Sequence, residues 1–284
     1  LGDVYKRQAS DDITQRMKKI LWQPDQAFVL TSGTMAVGSD FRRFKTQAGL
    51  EKGHRVMESV SPSPFDYRNN CLLYLPRIPP RQRVEDTDVY FNELTAELVG
   101  LIKAATGHAL VLFTSYAAMS AVKERLREES LPFPLLTLGR NAPHIIEQFR
   151  HTSGAVLLAT GAAWEGFDFP GDCVSLLVIP RLPFAYPDAR KERELEKYSS
   201  LRAFIREVAV PEMQIKLRQG FGRAIRTESD TCVIAILDER ACRGRRYAQA
   251  VSEALPEMRR TGSLREVTRF LREKKPESYF EVER

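Results

Sequence analysis

Ala155-Val156-Leu157-Leu158-Ala159-Thr160-Gly161 decides how this 284-residue chain folds. Five apolar residues without alternation fit a strand covered on both faces, and the Thr-Gly pair ends it. Working outward, Ala109–Phe113, Val174–Ile179 and Cys232–Leu237 repeat the pattern, and Pro134–Leu138 is a shorter strand candidate. Helical spacing lies between these runs. Asp88 is placed to cap a helix with Phe91, Leu94, Leu98, Leu101, Ile102 and Ala105 on one face, stopped by Gly107. Tyr116, Met119, Val122 and Leu126 make a second helix, and Pro143 can start a short third bearing Ile145, Ile146 and Phe149. A charged, helical-looking insertion at 187–210 leads into a helix at 211–218. Near the end, Ser263 and Glu266 have capping-box spacing ahead of Val267, Phe270 and Leu271. Strands alternating with helices predict an α/β fold, with an open, mostly parallel sheet and helices on both faces. Upstream, Gln26–Leu30 reads as a buried strand running into the turn-forming Thr31-Ser32-Gly33-Thr34. Residues 49–87 are irregular, with one short apolar run at Leu72–Leu75.

Composition narrows the classes. A hydrophobic share of 43% against 28% charged residues supports a packed core and disfavours a disordered chain. No apolar stretch approaches eighteen residues and no signal-peptide pattern opens the chain, so a soluble, cytoplasmic protein without a membrane partner is expected. Leu1–Gln8 resembles translated adapter sequence and is set aside as a non-native leader. Cys71, Cys173, Cys232 and Cys242 stand far apart, which fits buried reduced thiols and gives no metal site. The net charge of +6 permits a polyanionic partner. Its distribution says more: residues 181–226 hold eleven Lys/Arg against six Asp/Glu.

That basic stretch ends in Gln219-Gly220-Phe221-Gly222-Arg223-Ala224-Ile225-Arg226. Two arginines three apart share one face of a helical turn, and Gly222 there would allow close backbone approach. Guanidinium is permanently charged and bonds phosphate oxygens bidentately, so the pair suits a phosphoryl group. A bare R-x-x-R is most often a solvated turn; here Gln219 and Gly222 complete a longer pattern between a helix and a buried strand. Thr160-Gly161-Ala162-Ala163-Trp164-Glu165-Gly166-Phe167-Asp168-Phe169-Pro170-Gly171 follows a strand end, where ligands of open α/β sheets bind. Trp164 taken alone reads as core. Thr114-Ser115-Tyr116 closes another strand at a helix N-terminus, where backbone N–H groups suit phosphate and Ser115 could equally be an ordinary cap.

Taken whole, these stretches resemble helicase motifs: Gln219–Arg226 motif VI, Ala159–Gly171 motif V of the XPD/DinG group, Val111–Tyr116 motif IV and Leu30–Met35 motif III. Ser63-Pro64-Phe65 and Arg181-Leu182-Pro183-Phe184 fall where the DinG group has similar triplets. The resemblance covers roughly residues 26–275 and implies the C-terminal half of an ATP-dependent superfamily 2 DNA helicase. On that basis 9–48 would end the first motor domain and its linker, and 49–284 would form the second, RecA-like domain. By the same resemblance Arg226 would be the arginine finger, Arg223 a second γ-phosphate contact, and Gln219 a residue beside the nucleotide. Glu165, Gly166, Asp168 and Gly222 would line the nucleotide, with Asp168 facing the ribose or the finger. Thr114, Ser115, Tyr116, Thr160, Gly161 and Arg181 would meet single-stranded DNA, with 5′-to-3′ movement implied. No G-x-x-x-x-G-K-[ST] occurs, so ATP and its Mg2+ would be held mainly by a separate N-terminal motor domain. Asp238-Glu239 after a strand is read as a solvated strand end rather than a Walker B acid. The alternative is a non-catalytic module of the same fold that binds single-stranded nucleic acid. An unrelated methyltransferase-like enzyme is disfavoured by the lack of a G-x-G strand-to-helix turn.

Overall fold

The computed structural model describes residues 13–22, 26–50, 55–77, 79–80, 86–139, 143–164, 166–169 and 171–281. The proposed leader at 1–8 lies outside them. Contacts divide the chain into two compact units, Leu1–Pro62 and Ser63–Arg284, so 49–62 groups with the smaller unit.

The smaller unit holds α1 (Ile13–Ile20) and α2 (Arg42–Ala48). Trp22 Nε1 donates to the Ala48 carbonyl at 2.6 Å, and the Trp22 ring meets Phe28 edge-on at 5.2 Å. The expected strand at Gln26–Leu30 is not formed, and Val29 is 89% exposed. An apolar run becomes a strand by pairing with a neighbour, and the described residues of this unit offer no strand beside it. The turn expected after it is present, with Thr34 N donating to Ser32 Oγ at 3.2 Å.

The larger unit opens with α3 (Tyr67–Asn70), β1 (Cys71–Tyr74), α4 (Thr87–Ala104), β2 (Ala109–Leu112) and α5 (Tyr116–Glu128). It continues through β3 (Leu135–Thr137), α6 (Pro143–His151), β4 (Val156–Ala159) and β5 (Leu176–Ile179). There follow α7 (Ala189–Leu195), α8 (Leu201–Phe204), α9 (Val210–Phe221), β6 (Cys232–Ile236), α10 (Ala248–Ala254), β7 (Arg259–Thr261) and α11 (Leu264–Lys274). The described strands form one seven-stranded sheet in the order β3-β4-β2-β5-β6-β1-β7, and every pairing is parallel. The short apolar run in the irregular 49–87 segment thus contributes β1, Cys71–Tyr74, a strand beside β6.

Side-chain alternation explains why the strand runs are unbroken in apolarity. Leu110, Leu157, Leu177 and Ile234 point to one core with α6, α9 and α10, while Val111, Leu158, Val178 and Val233 point to the other with α4, α5 and α11. A leucine buried this completely contributes roughly 1.5–3 kcal/mol. Helix starts differ in detail from expectation. Asp86, not Asp88, caps α4, accepting from Val89 N at 3.2 Å. Ser263 begins α11 without a side-chain cap: Glu266 N donates to the Ser263 carbonyl, and the reciprocal half of the box is replaced by Thr261, whose hydroxyl donates to the Glu266 carboxylate and accepts from Ser263 N. Gly107 ends α4 at φ +77°, and a Cβ there would lie 1.8 Å from the Gly154 carbonyl oxygen. The insertion and the next helix run together through a π-helical turn at Ile205–Ala209. Pro211 follows it, and the looser ladder tolerates the missing N–H.

Candidate nucleotide and nucleic-acid site

The site is assembled at strand ends. After β4 the chain makes a 3-10 turn at Gly161–Trp164, and a second at Gly171–Val174 leads back into β5. Trp164 anchors the intervening loop. It is 1% exposed and its Nε1 donates to the Phe113 carbonyl at 2.9 Å, so it is core, as its isolated reading had it. The ring lies against α9, where a Cβ on Gly220 would come within 2.8 Å of it. Gly220 is therefore the glycine that permits close approach. Gly222, expected to do so, has φ −62° and would carry a Cβ at ordinary distance, 3.5 Å from the nearest carbonyls.

Arg223 and Arg226 both reach the motif V loop. Arg223 Nη1 donates to the Phe167 carbonyl and its Nε to the Gln219 carbonyl at 3.3 Å. Arg226 Nη2 donates to the same Phe167 carbonyl at 3.4 Å, and its Nε lies 2.7 Å from Asp168 Oδ1. That N–H is buried and not aligned as a hydrogen bond to any described acceptor, so the contact is Coulombic. The arginines do not share a helical face, since α9 ends at Phe221; the turn after it brings them together. Asp230 holds this turn, accepting from Arg226 N at 2.7 Å, Thr227 N at 2.8 Å and Thr227 Oγ1 at 2.7 Å. The loop has a third cation, Arg150 of α6, which donates to the Asp168 carbonyl through Nε at 3.0 Å and Nη2 at 2.6 Å. Arg150 was not found from sequence, because nothing marks one helix arginine among many. Asp230 carried a signal, a Thr-x-x-Asp turn, that went unused.

The remaining sequence candidates divide. Gln219 is half-buried, Gly166 and Asp168 are exposed, and Glu165 lies outside the described residues. Thr114, Ser115 and Tyr116 are exposed beyond β2, and Ser115 Oγ caps α5 by accepting from Ala118 N at 3.2 Å. Gly161 is exposed, with the Tyr116 hydroxyl 3.9 Å from where its Cβ would be, so the loops after β2 and β4 adjoin. Thr160 is buried at 6% exposure. Arg181 is exposed beyond β5. In the basic stretch Lys191 is neutralised by Glu194 and Glu212, each at 2.7 Å, which ties α7 to α9.

Asp238 requires a correction. It is no solvated strand end but is 6% exposed. It accepts from Leu182 N at 2.9 Å and Arg240 N at 2.9 Å, and pairs with Arg240 Nη2 at 2.7 Å. Burial pushes its carboxyl up, but the Arg240 hydrogen bonds and charge and the Leu182 N–H outweigh that and hold it below the usual range. All four cysteines carry thiols; burial raises Cys71 to about 12 and Cys173 to about 11. Among the described residues no three His, Cys, Asp or Glu side chains converge on a metal position, and no helix is long and apolar enough to cross a membrane.

An all-parallel RecA-like sheet whose strand-end loops gather guanidinium groups defines a helicase-type domain. The chain belongs to the helicase C-terminal domain family, which matches residues 98–258, more than half of its length. It is similar to the ATP-dependent DNA helicase YoaA of Haemophilus influenzae, 34% identical over 88% of this chain and 38% of that protein. YoaA of Escherichia coli is 32% identical over 91% of this chain and 40% of that protein. The ATP-dependent DNA helicase DinG of Photobacterium profundum is 30% identical over 91% and 38%. The chain thus spans about two fifths of the length of these curated relatives. Among solved structures an XPD helicase superposes with a TM-score of 0.51 over 68% of this chain and 35% of that chain, at 16% identity, a likeness of fold.

Proposed function

We propose that this chain is the second motor domain of an ATP-dependent DNA helicase, and that it supplies the arginine finger and part of the track for single-stranded DNA. The observation that carries the reading is the convergence of Arg223 and Arg226 on the Phe167–Asp168 loop. A buried, unaligned Arg226 N–H beside a second guanidinium suits phosphoryl oxygens. ATP, bound mainly by an N-terminal motor domain, supplies the phosphoanhydride whose cleavage drives the motion, and its Mg2+ accompanies the phosphates there. Arg226 stabilises charge developing on the transferred phosphoryl group, and Arg223 binds it from the same side. Asp168 holds Arg226 in place until the nucleotide arrives. Gln219 and Gly222 of motif VI, with Glu165 and Gly166 of motif V, border the nucleotide, and Gln219 passes its state to the loop.

On the strand side, Ser115 and the N–H groups at Thr114–Tyr116 and Thr160–Gly161 contact phosphates without reading bases, and Arg181 adds charge. If about three phosphates are neutralised, log affinity falls with log salt at a slope near −2. The test uses the 284-residue chain. It is expected to bind an oligonucleotide weakly and with that slope, to prefer single strands to duplex, and to lose affinity in Ser115→Asp. Equal affinity for duplex, or indifference to Ser115→Asp, removes the strand contact. Steady ATP turnover by the same purified chain, abolished in Arg226→Ala, would overturn the division of labour between two domains.

A further inference from the structure

A cavity of about 120 Å³ opens beyond the carboxyl ends of β5, β6 and β1, three neighbouring strands, with Pro80, Tyr90, Pro180, Arg181, Asp238 and Arg240 in its wall. None of the motif V and VI contacts described above uses it. Two acids and two arginines line it, and the acids are engaged: Glu239 begins the 3-10 turn Glu239–Ala241 and is not free, and Asp238 already accepts from Leu182 N and from Arg240 N, Nε and Nη2. Arg240 is immobilised against that carboxylate and over the rings of Phe184 at 5.2 Å and Tyr247 at 5.8 Å. Tyr90, by contrast, is 7% exposed, and its hydroxyl faces Arg181, Asp238 and Arg240 with no hydrogen-bond partner among the described residues. Arg181 stands exposed at the mouth with no ion-pair partner among the described residues. A hydroxyl that opens on the cavity without a hydrogen-bond partner among the described residues, and an unpaired guanidinium beside it, offer donors to a ligand that brings acceptors and negative charge.

We infer that this cavity binds one phosphoryl group through the Tyr90 hydroxyl and the Arg181 guanidinium, and that in the working protein the group is a backbone phosphate of the DNA strand. Size favours a single phosphoryl group over a whole small molecule, whose pockets run to roughly 300–1,000 Å³. Position favours the strand. The loops after β4 and β2 that carry Gly161 and Ser115 leave the same end of the same parallel sheet, so the cavity continues their row across β5, β6 and β1. The strand assignment rests on the functional reading above; the cavity and its donors do not.

The experiment titrates the 284-residue chain, at constant ionic strength, with inorganic phosphate, ADP and a single-stranded oligothymidylate, in wild type, Tyr90→Phe and Arg181→Met. Tyr90→Phe removes one oxygen and keeps the ring, so an unchanged Tm certifies the fold; Tyr186→Phe, at an exposed tyrosine, is the control. Phosphate is expected to compete with the oligonucleotide, and Tyr90→Phe to weaken both by about tenfold. Arg181→Met should weaken both further. Phosphate binding that depends on Tyr90 but competes with ADP and not with the oligonucleotide keeps the cavity and overturns its assignment to the strand. Binding of phosphate and oligonucleotide unmoved by both variants overturns the site itself. Loss of oligonucleotide binding in Ser115→Asp alone concerns the neighbouring loop and leaves this cavity standing.

Discussion

Two arginine–aspartate pairs in this domain have the same N–O distance, 2.7 Å, and little else in common. In Arg240–Asp238 the carboxylate side chain is 5% exposed, accepts from two backbone N–H groups, and faces an arginine that lies over two adjoining aromatic rings. In Arg226–Asp168 the carboxylate is 64% exposed and its described contact is the arginine alone. The first pair is part of the fold, since a half-removed buried pair leaves an uncompensated charge. The second is weakly held and exchangeable, which suits the role proposed for Arg226 at a substrate phosphate. Distance does not separate a structural pair from a functional one; burial and the number of additional hydrogen bonds do.

The widest gap should appear in turnover. In the proposed assembly with an N-terminal motor domain, Arg226→Ala is expected to reduce DNA-stimulated ATPase by about three to five orders of magnitude. That corresponds to about 4–7 kcal/mol of transition-state stabilisation. Arg240→Ala, which leaves the motif V and VI contacts untouched, should reduce the turnover of the folded fraction far less, and through weaker DNA binding at the cavity it helps to line. An Arg226→Ala loss below about tenfold would make Arg223 the better finger. Stability should show the reverse order: in urea unfolding Asp238→Ala is expected to cost about 3–5 kcal/mol. Asp168→Ala should cost below about 1 kcal/mol, as exposed pairs do. Equal losses would erase the distinction drawn here.

A smaller effect concerns the turn that presents Arg223. Gly220→Ala forces a Cβ to within 2.8 Å of the Trp164 ring. It should cost about 1–3 kcal/mol. Gly222→Ala, whose Cβ would meet the nearest carbonyl oxygens at an ordinary 3.5 Å, should fall within about 0.5 kcal/mol of wild type. A Gly222→Ala loss as large as that of Gly220→Ala would restore the close approach first assigned to Gly222. The smallest effect is one of slope. Asp238 is held below its ordinary 3.8 when folded, so its contribution is present above that pH and is lost as pH falls through the lower folded value. Acid unfolding of Asp238→Asn should therefore be flatter below about pH 4 than that of wild type. Identical slopes would show that Arg240 does not favour the charged form.

The central strands β2, β4, β5 and β6 were legible because burial on both faces writes itself as unbroken apolar runs. The strand-end loops were legible through residue types at fixed spacing. β7, the polar Arg259–Thr261 at the sheet edge, has no such signature, and Gln26–Leu30 has the signature without the neighbour. Spacing also assigned the wrong glycine, since the clash at Gly220 belongs to Trp164, more than fifty residues earlier in the chain.

By itself the sequence determined the parallel α/β class and the order of most elements, and it singled out the strand-end loops proposed to carry phosphate chemistry, because periodicity and residue type are local properties of the chain. The tertiary structure alone decided that Arg150, Arg223 and Arg226 meet one loop, that Asp238 is buried, and that Tyr90 lies beside Arg181. Those meetings depend on how crossover helices return distant strands to neighbouring places in the sheet, and no short window of sequence contains that information.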